Sequence, residues 1–199
     1  MPKDLRSFLA ELESKLPEEV CYVDREVDPE FELPAVLRKL QDENRYPAVF
    51  FNKVKGSKFP VVSNLFASSN RLALAFGIDA DNRVEAYLAK EDRLKASKTV
   101  RKAPAHENVF IGRKADLTKL PVITHCEKDA GPYLTSAVCI VKDHDSGAYD
   151  LGIFRLQLKS RNRLANLIPL LLLSPHHNHQ QVRTSTECSC IMIANNQCI

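Results

Sequence analysis

Apolar positions recur at helical spacing from the start of the chain. Leu5, Phe8, Leu9, Leu12 and Leu16 share one face, and Asp4 stands where an N-cap belongs. "CYVDREV" then alternates weakly, as a short strand does. In "ELPAVLRKLQDEN" the residues Leu33, Val36, Leu37 and Leu40 fall on one helical face, with Pro34 tolerated in the first turn. "YPAVFFNKV" and "FPVVSNLF" read as strands joined by a turn through Gly56. "SSNRLALAFGI" predicts a short helix capped by Ser69 or Asn70 and ended at Gly77, and "NRVEAYLAKEDRLK" predicts another. This mixture of helices and strands with short connections is that of a small α/β layer domain over residues 1–104.

The chain turns polar between Lys95 and Glu107, which reads as a linker. After it the texture changes. "PYLTSAVCIVKD" and "AYDLGIFRLQLKS" predict two long strands around the turn cluster "HDSG", hence a β-hairpin within a second segment, residues 105–165. Strand alternation puts Leu151, Ile153, Arg155 and Gln157 on one face of the second strand. Gly152, Phe154, Leu156 and Leu158 share the other, which reads as core. Arg155 is then either a solvent-facing residue on a half-exposed sheet or an anion-binding guanidinium facing a ligand cleft. Gly152 is a place where a ligand or backbone could approach closely.

From Asn166 onward the pattern dissolves, leaving an irregular tail over residues 166–199. Only Arg183 and Glu187 carry charge there, no glycine follows Gly152, and no Phe or Tyr follows Phe154. His176, His177, His179, Cys188 and Cys190 are zinc-ligand types, but "HHNH" and "CSC" are not the spacings that a turn or helix presents to one ion. A polar tail without fixed structure, or a segment from a shifted reading frame, are the other readings.

Composition narrows the picture. The chain has 199 residues, 44% hydrophobic and 27% charged, and a net charge of +3, too small to argue for nucleic acid or an anionic membrane as partner. The longest apolar run falls well short of the roughly 20 residues of a membrane-spanning helix. The N-terminus lacks the apolar stretch of a secretory signal. Cys21, Cys126 and Cys139 sit among apolar neighbours, so buried, reduced thiols and a cytoplasmic location are expected. There is no glycine-rich phosphate loop, no GxSxG, no HExxH and no paired CxxC. In "THCEKD", His125 and Cys126 are adjacent and point apart if extended, so a polar loop with a buried thiol is expected rather than a catalytic dyad.

Five stretches carry a resemblance. "DLRSFLAELE", "VDREVDPEFELPAVLRKLQ", "YPAVFFNKVKGSKFPVVSNLFASSNRLALAFGI", "DLTKLPVITHCEKDAGPYLTSAVCIVKDHDSG" and "LGIFRLQL" together resemble the UbiD family of reversible carboxy-lyases, in the family's order and spacing, from about Asp4 to about Leu164. The resemblance implies an α/β (α+β) chain: an N-terminal α/β domain, then the opening strands of a flavin-reductase-like split β-barrel. It implies prenylated FMN as cofactor, with a divalent metal (manganese) and potassium near its phosphate. The implied reaction is non-oxidative decarboxylation of an aromatic or α,β-unsaturated carboxylic acid, the small-molecule partner. The family forms homo-oligomers through a C-terminal domain that this sequence does not match.

Carried over residue by residue, Ile153, Phe154 and Arg155 match the cofactor-contacting stretch, and Arg155 matches the arginine of the catalytic arginine–glutamate network. Asp150 takes the place of a metal-binding Asn, which changes the charge at that position. The family's next metal ligand, a His, would fall near Leu170 to Leu173; His176 and His177 come a few residues too late. Its metal-binding Glu and catalytic acids match no position before Ile199. The expectation is therefore a truncated family member with an aberrant terminus, inactive on its own. The alternative is a non-catalytic remnant or interaction module that keeps the N-terminal α/β fold.

Overall fold

In a computed structural model, residues 4–92, 100–101, 106–142, 149–166 and 188–191 are described. The N-terminal unit runs α1 (Leu5–Lys15), β1 (Val20–Val27), α2 (Glu32–Asp42), β2 (Ala48–Val54), β3 (Val61–Ser63), α3 (Ser69–Phe76) and α4 (Arg83–Glu91). Asp4 caps α1 reciprocally with Ser7: each side chain binds the other's backbone N–H. Helix α3 starts one residue earlier than its pattern predicts. Ser68, in extended backbone, accepts from the Arg71 N–H, and Gly77 ends the helix in the left-handed conformation.

The first sheet has the order β1-β2-β3, parallel then antiparallel. Central β2 reads Ala48-Val49-Phe50-Phe51, a continuous apolar run, because both its faces are covered. Val49 and Phe51 pack with Leu33 and Leu40 of α2. Ala48 and Phe50 pack with Phe8, Leu9 and Leu12 of α1. The expected α/β layering over this segment is what the structure has.

One polar side chain sits inside it. Arg71 is 1% exposed. Its Nε donates to the Leu65 carbonyl at 3.0 Å, Nη2 to the carbonyls of Asn64 (3.1 Å) and Tyr46, and Nη1 to Glu19. Burial pushes the Arg71 guanidinium down and Glu19 opposes this. Burial also pushes the Glu19 carboxyl up, yet hydrogen bonds from Ser68, Asn70 and Arg71, with the Arg71 charge, hold it below the usual carboxylate range.

The second sheet has the order β6-β5-β4-β7, with β4 (Tyr133–Lys142), β5 (Tyr149–Ser160), β6 (Arg163–Ala165) and β7 (Cys188–Ile191), all antiparallel. The predicted hairpin is β4–β5; its turn, 143–148, lies outside the described residues, as does most of the expected linker. Strand β7 lies where no strand period was legible. The candidate zinc ligands His176, His177 and His179 lie outside the described residues, as do the side chains of Cys188 and Cys190.

The short segment Pro121–Thr124 joins the two units. Val122 enters the core of the second sheet and Ile123 that of the first. The Thr124 carbonyl accepts from the Phe31 N–H at 3.1 Å and the Thr124 N–H donates to Pro29 at 3.2 Å. Alternation along one extended segment thus serves two cores. The linkage holds Phe31 at φ 65°, unusual for a bulky residue, at the entrance to α2.

Leu134, Ala137 and Cys139 of β4 and Leu156 of β5 are buried, with Phe154 and Leu158 packed against them. The face expected to be core is core. Gly152 has a different purpose from the expected close approach of a ligand or neighbouring backbone. A Cβ there would stand 2.2 Å from Cε2 of Phe154, whose own ring fills the space. Gly152→Ala must push that ring off a packed core, so a loss of about 1–3 kcal/mol is expected. Thermal unfolding checks it, and Phe154→Leu in the same background should restore part of the loss.

Candidate functional site

Arg155 lies on the opposite face of β5 from Phe154, with its side chain 65% exposed. Ile153 and Leu151 precede it on that face at 75% and 61% exposure. The strand therefore presents two aliphatic side chains leading to a guanidinium. Across from Arg155 the pairing is irregular. Leu134 pairs with Leu156 and Ala137 with Phe154, so Thr135 and Ser136 together oppose Arg155. This β-bulge resets the alternation, so that Leu134 and Ala137, three apart, both face the core. Bulges bend a strand locally and re-aim the side chains beside them.

The loop from His125 to Tyr133 runs alongside. The Tyr133 ring lies under the Arg155 guanidinium, 4.6 Å from centroid to Cζ. Asp129 Oδ1 lies 3.6 Å from Arg155 Nη1, while Oδ2 accepts the Cys126 N–H at 3.2 Å. Gln157, buried at 7% exposure, donates from Nε2 to the Ala130 carbonyl. The Leu158 N–H donates to Pro132 at 2.9 Å. His125 is half-buried. Burial pushes its imidazole below the usual value, Arg155 adds to that, and Asp129 opposes it. Cys126 is exposed, correcting the expected buried thiol, because its loop lies at the surface. Cys139 is buried and Cys21 half-buried.

A cleft of about 320 Å³ opens between the units, lined by Leu37, Asn64, Phe66, His125 and Thr135 among others. Arg155 does not line it; its face of β5 is open. Asp150 pairs in register with Val141, and its side chain, the expected metal ligand, lies outside the described ones. Among the described residues no group of three or more His, Cys, Asp or Glu side chains is placed to hold a metal ion. Among them also, no helix is long and apolar enough to cross a membrane. Sequence reasoning placed Gln157 on the Arg155 face but missed Asp129 and Tyr133 as neighbours of Arg155. The burial of Gln157 and its bond to Ala130, like the contacts of Asp129 and Tyr133, left no local signal.

Comparison with known proteins defines the class. Residues 13–91 match the 3-octaprenyl-4-hydroxybenzoate carboxy-lyase N-terminal domain, and residues 98–192 match the Rift-related domain of the same carboxy-lyase. The second match runs past the composition break at Ala165. Among solved structures, an evolved dimeric form of the UbiD-class enzyme HmfF from Pelotomaculum thermopropionicum, in complex with prFMN, is 35% identical with a TM-score of 0.73, over 84% of this chain and 38% of that one. Vanillic acid decarboxylase of Sedimentibacter hydroxybenzoicus is 32% identical, TM-score 0.73, over 83% and 37%. The 3,4-dihydroxybenzoic acid decarboxylase of Enterobacter cloacae is 28% identical, TM-score 0.73, over 84% and 37%. The chain belongs to the UbiD family, and it spans well under half the length of these relatives.

Proposed function

We propose that this chain supplies the N-terminal domain (1–104) and the opening strands of the flavin domain (105–165) of a carboxy-lyase. Its reaction is non-oxidative, reversible decarboxylation of an aromatic or α,β-unsaturated carboxylic acid, with prenylated FMN. The observation that carries this is the exposed face of β5, where Leu151 and Ile153 lead to Arg155. That face fits planar, largely apolar rings, and its guanidinium fits a carboxylate. The cofactor, when bound, would supply an electron sink for the electron pair left on carbon as the C–C bond breaks and CO₂ departs. Ile153 and the Phe154 backbone would hold the cofactor, since the Phe154 ring is committed to the core. Arg155 binds the carboxylate and orients it. Asp150 offers an oxygen ligand for a divalent ion, manganese in this reading, with potassium beside it. In this reading the protein is cytoplasmic, and the homo-oligomers of the family form through a C-terminal domain that this sequence does not match.

Residues 166–199 differ in composition from the rest of the chain, although the family match continues to residue 192; the coding sequence on either side of the Ala165 codon tests whether they continue the same frame. The polypeptide of residues 1–199 by itself should release no CO₂ from vanillic or cinnamic acid with prenylated FMN and manganese supplied. The acids that donate the proton in the family match none of its positions, and a positioned general acid is worth roughly 10²- to 10⁴-fold. Headspace CO₂ against a cofactor-free control checks this. The enzyme reading as a whole is tested by grafting residues 4–165 into the vanillic acid decarboxylase in place of its matching segment. A folded graft that purifies with flavin absorbance supports it. A folded graft without flavin favours the non-catalytic module.

A further inference from the structure

The chain holds two arginines in opposite situations. Arg71 is buried and its donors are spent on three carbonyls and Glu19. Arg155 is exposed, yet it is met from two sides, by Asp129 of a loop and by Tyr133 at the start of β4. We propose that Asp129 and Tyr133 are positioning residues that hold the Arg155 guanidinium in place for a substrate carboxylate, a role that rests on the reading of Arg155 above.

The geometry is specific. Asp129 divides its carboxylate: Oδ2 closes its own turn on the Cys126 N–H, which fixes the side chain, and Oδ1 faces Arg155 Nη1 at 3.6 Å. The Asp129 side chain is itself only 18% exposed. Tyr133 supplies a flat surface beneath the guanidinium. The loop carrying Asp129 runs into Tyr133 at the start of β4 and is tied to the strand carrying Arg155, by Gln157 to Ala130 and by Leu158 to Pro132. Gly131, at φ 139°, lets the loop pass over Gln157, because a Cβ there would stand 3.2 Å from Nε2. The bulge at Thr135–Ser136 lies directly across from Arg155. The guanidinium thus has one face on a ring and one nitrogen near a fixed carboxylate, while its side chain stays two-thirds exposed. Holding a long, rotamer-rich side chain before binding removes part of the ordering cost of the complex.

The test follows the Arg155 Nε–H signal by NMR in the full 199-residue chain, with the His125 titration as an independent readout and benzoate as the probe. Asp129→Asn keeps an acceptor for the Cys126 N–H and removes only the charge. It should speed exchange of the Arg155 signal, lower the His125 pKa and weaken benzoate binding about two- to fivefold, the size expected of an exposed pair. Tyr133→Leu should mobilise Arg155 similarly, whereas Tyr133→Phe, which keeps the ring, should not. Arg155→Gln should raise the His125 pKa. An Arg155 signal and a His125 titration unchanged in both Asp129→Asn and Tyr133→Leu would overturn the proposal. If both variants mobilise Arg155 but benzoate never perturbs it in the parent chain, the positioning contacts stand and the carboxylate reading of Arg155 falls.

Discussion

Arg71→Ala is expected to unfold most of the N-terminal domain at room temperature. The substitution removes a guanidinium that satisfies the carbonyls of Leu65, Asn64 and Tyr46 and pairs with Glu19 in the interior. Breaking a buried ion pair from one side costs about 3–5 kcal/mol, and each carbonyl left without a donor adds to that. A domain holds only about 5–15 kcal/mol in all. Urea unfolding followed by far-UV circular dichroism should show a midpoint near zero denaturant. A midpoint within the error of the parent would show that water replaces the guanidinium without loss. The same pair sets an acid limb. Because the Glu19 pKa is held below its unfolded value, its contribution is present above that value and lost as pH falls through the folded one. Glu19→Gln should flatten that limb while lowering stability at neutral pH.

Arg155→Ala carries the second large effect, on activity rather than fold. Its side chain is 65% exposed and packs into neither core, so little stability should depend on it. In the vanillic acid decarboxylase graft it should lower kcat/KM for decarboxylation by roughly 10²- to 10³-fold, the loss typical of removing one group that stabilises charge in a transition state. The flavin spectrum and the melting temperature should stay those of the graft. Activity within about threefold of the graft, well short of the loss expected for a charge-stabilising group, would remove Arg155 from the catalytic machinery.

Much of the fold was legible because its elements obey one period each. Helix α1 shows its apolar stripe and its cap, and β2 shows the unbroken Ala48–Phe51 run of a strand covered on both faces. The Phe154/Arg155 division of β5 followed from alternation alone. Other features had no local signal. Arg71 sits in a helical pattern where a charge reads as solvent-facing; only its convergence with the nearby Asn64 and Leu65 carbonyls and with Tyr46 and Glu19 from distant segments shows otherwise. The bulge on β4 was hidden because "LTSA" looks like ordinary strand, although apolar Leu134 and Ala137 stand three apart. The packing of Phe154 against Gly152 depends on a rotamer, which spacing does not encode. Asp129 reaches Arg155 through a loop tied down by Gln157, and Tyr133 reaches it from the start of β4; both are tertiary contacts. The family, by contrast, came from matching whole segments in order, and the comparisons established it.

The account stands most directly on CO₂ release by the graft that carries residues 4–165 in vanillic acid decarboxylase. If these residues form the front half of a carboxy-lyase and present Arg155 to the substrate, the graft should release CO₂ from vanillic acid at a rate within about tenfold of its parent, a difference of about 1.4 kcal/mol in barrier. A graft that is folded and flavin-loaded yet releases no CO₂ above the cofactor-free control would contradict it.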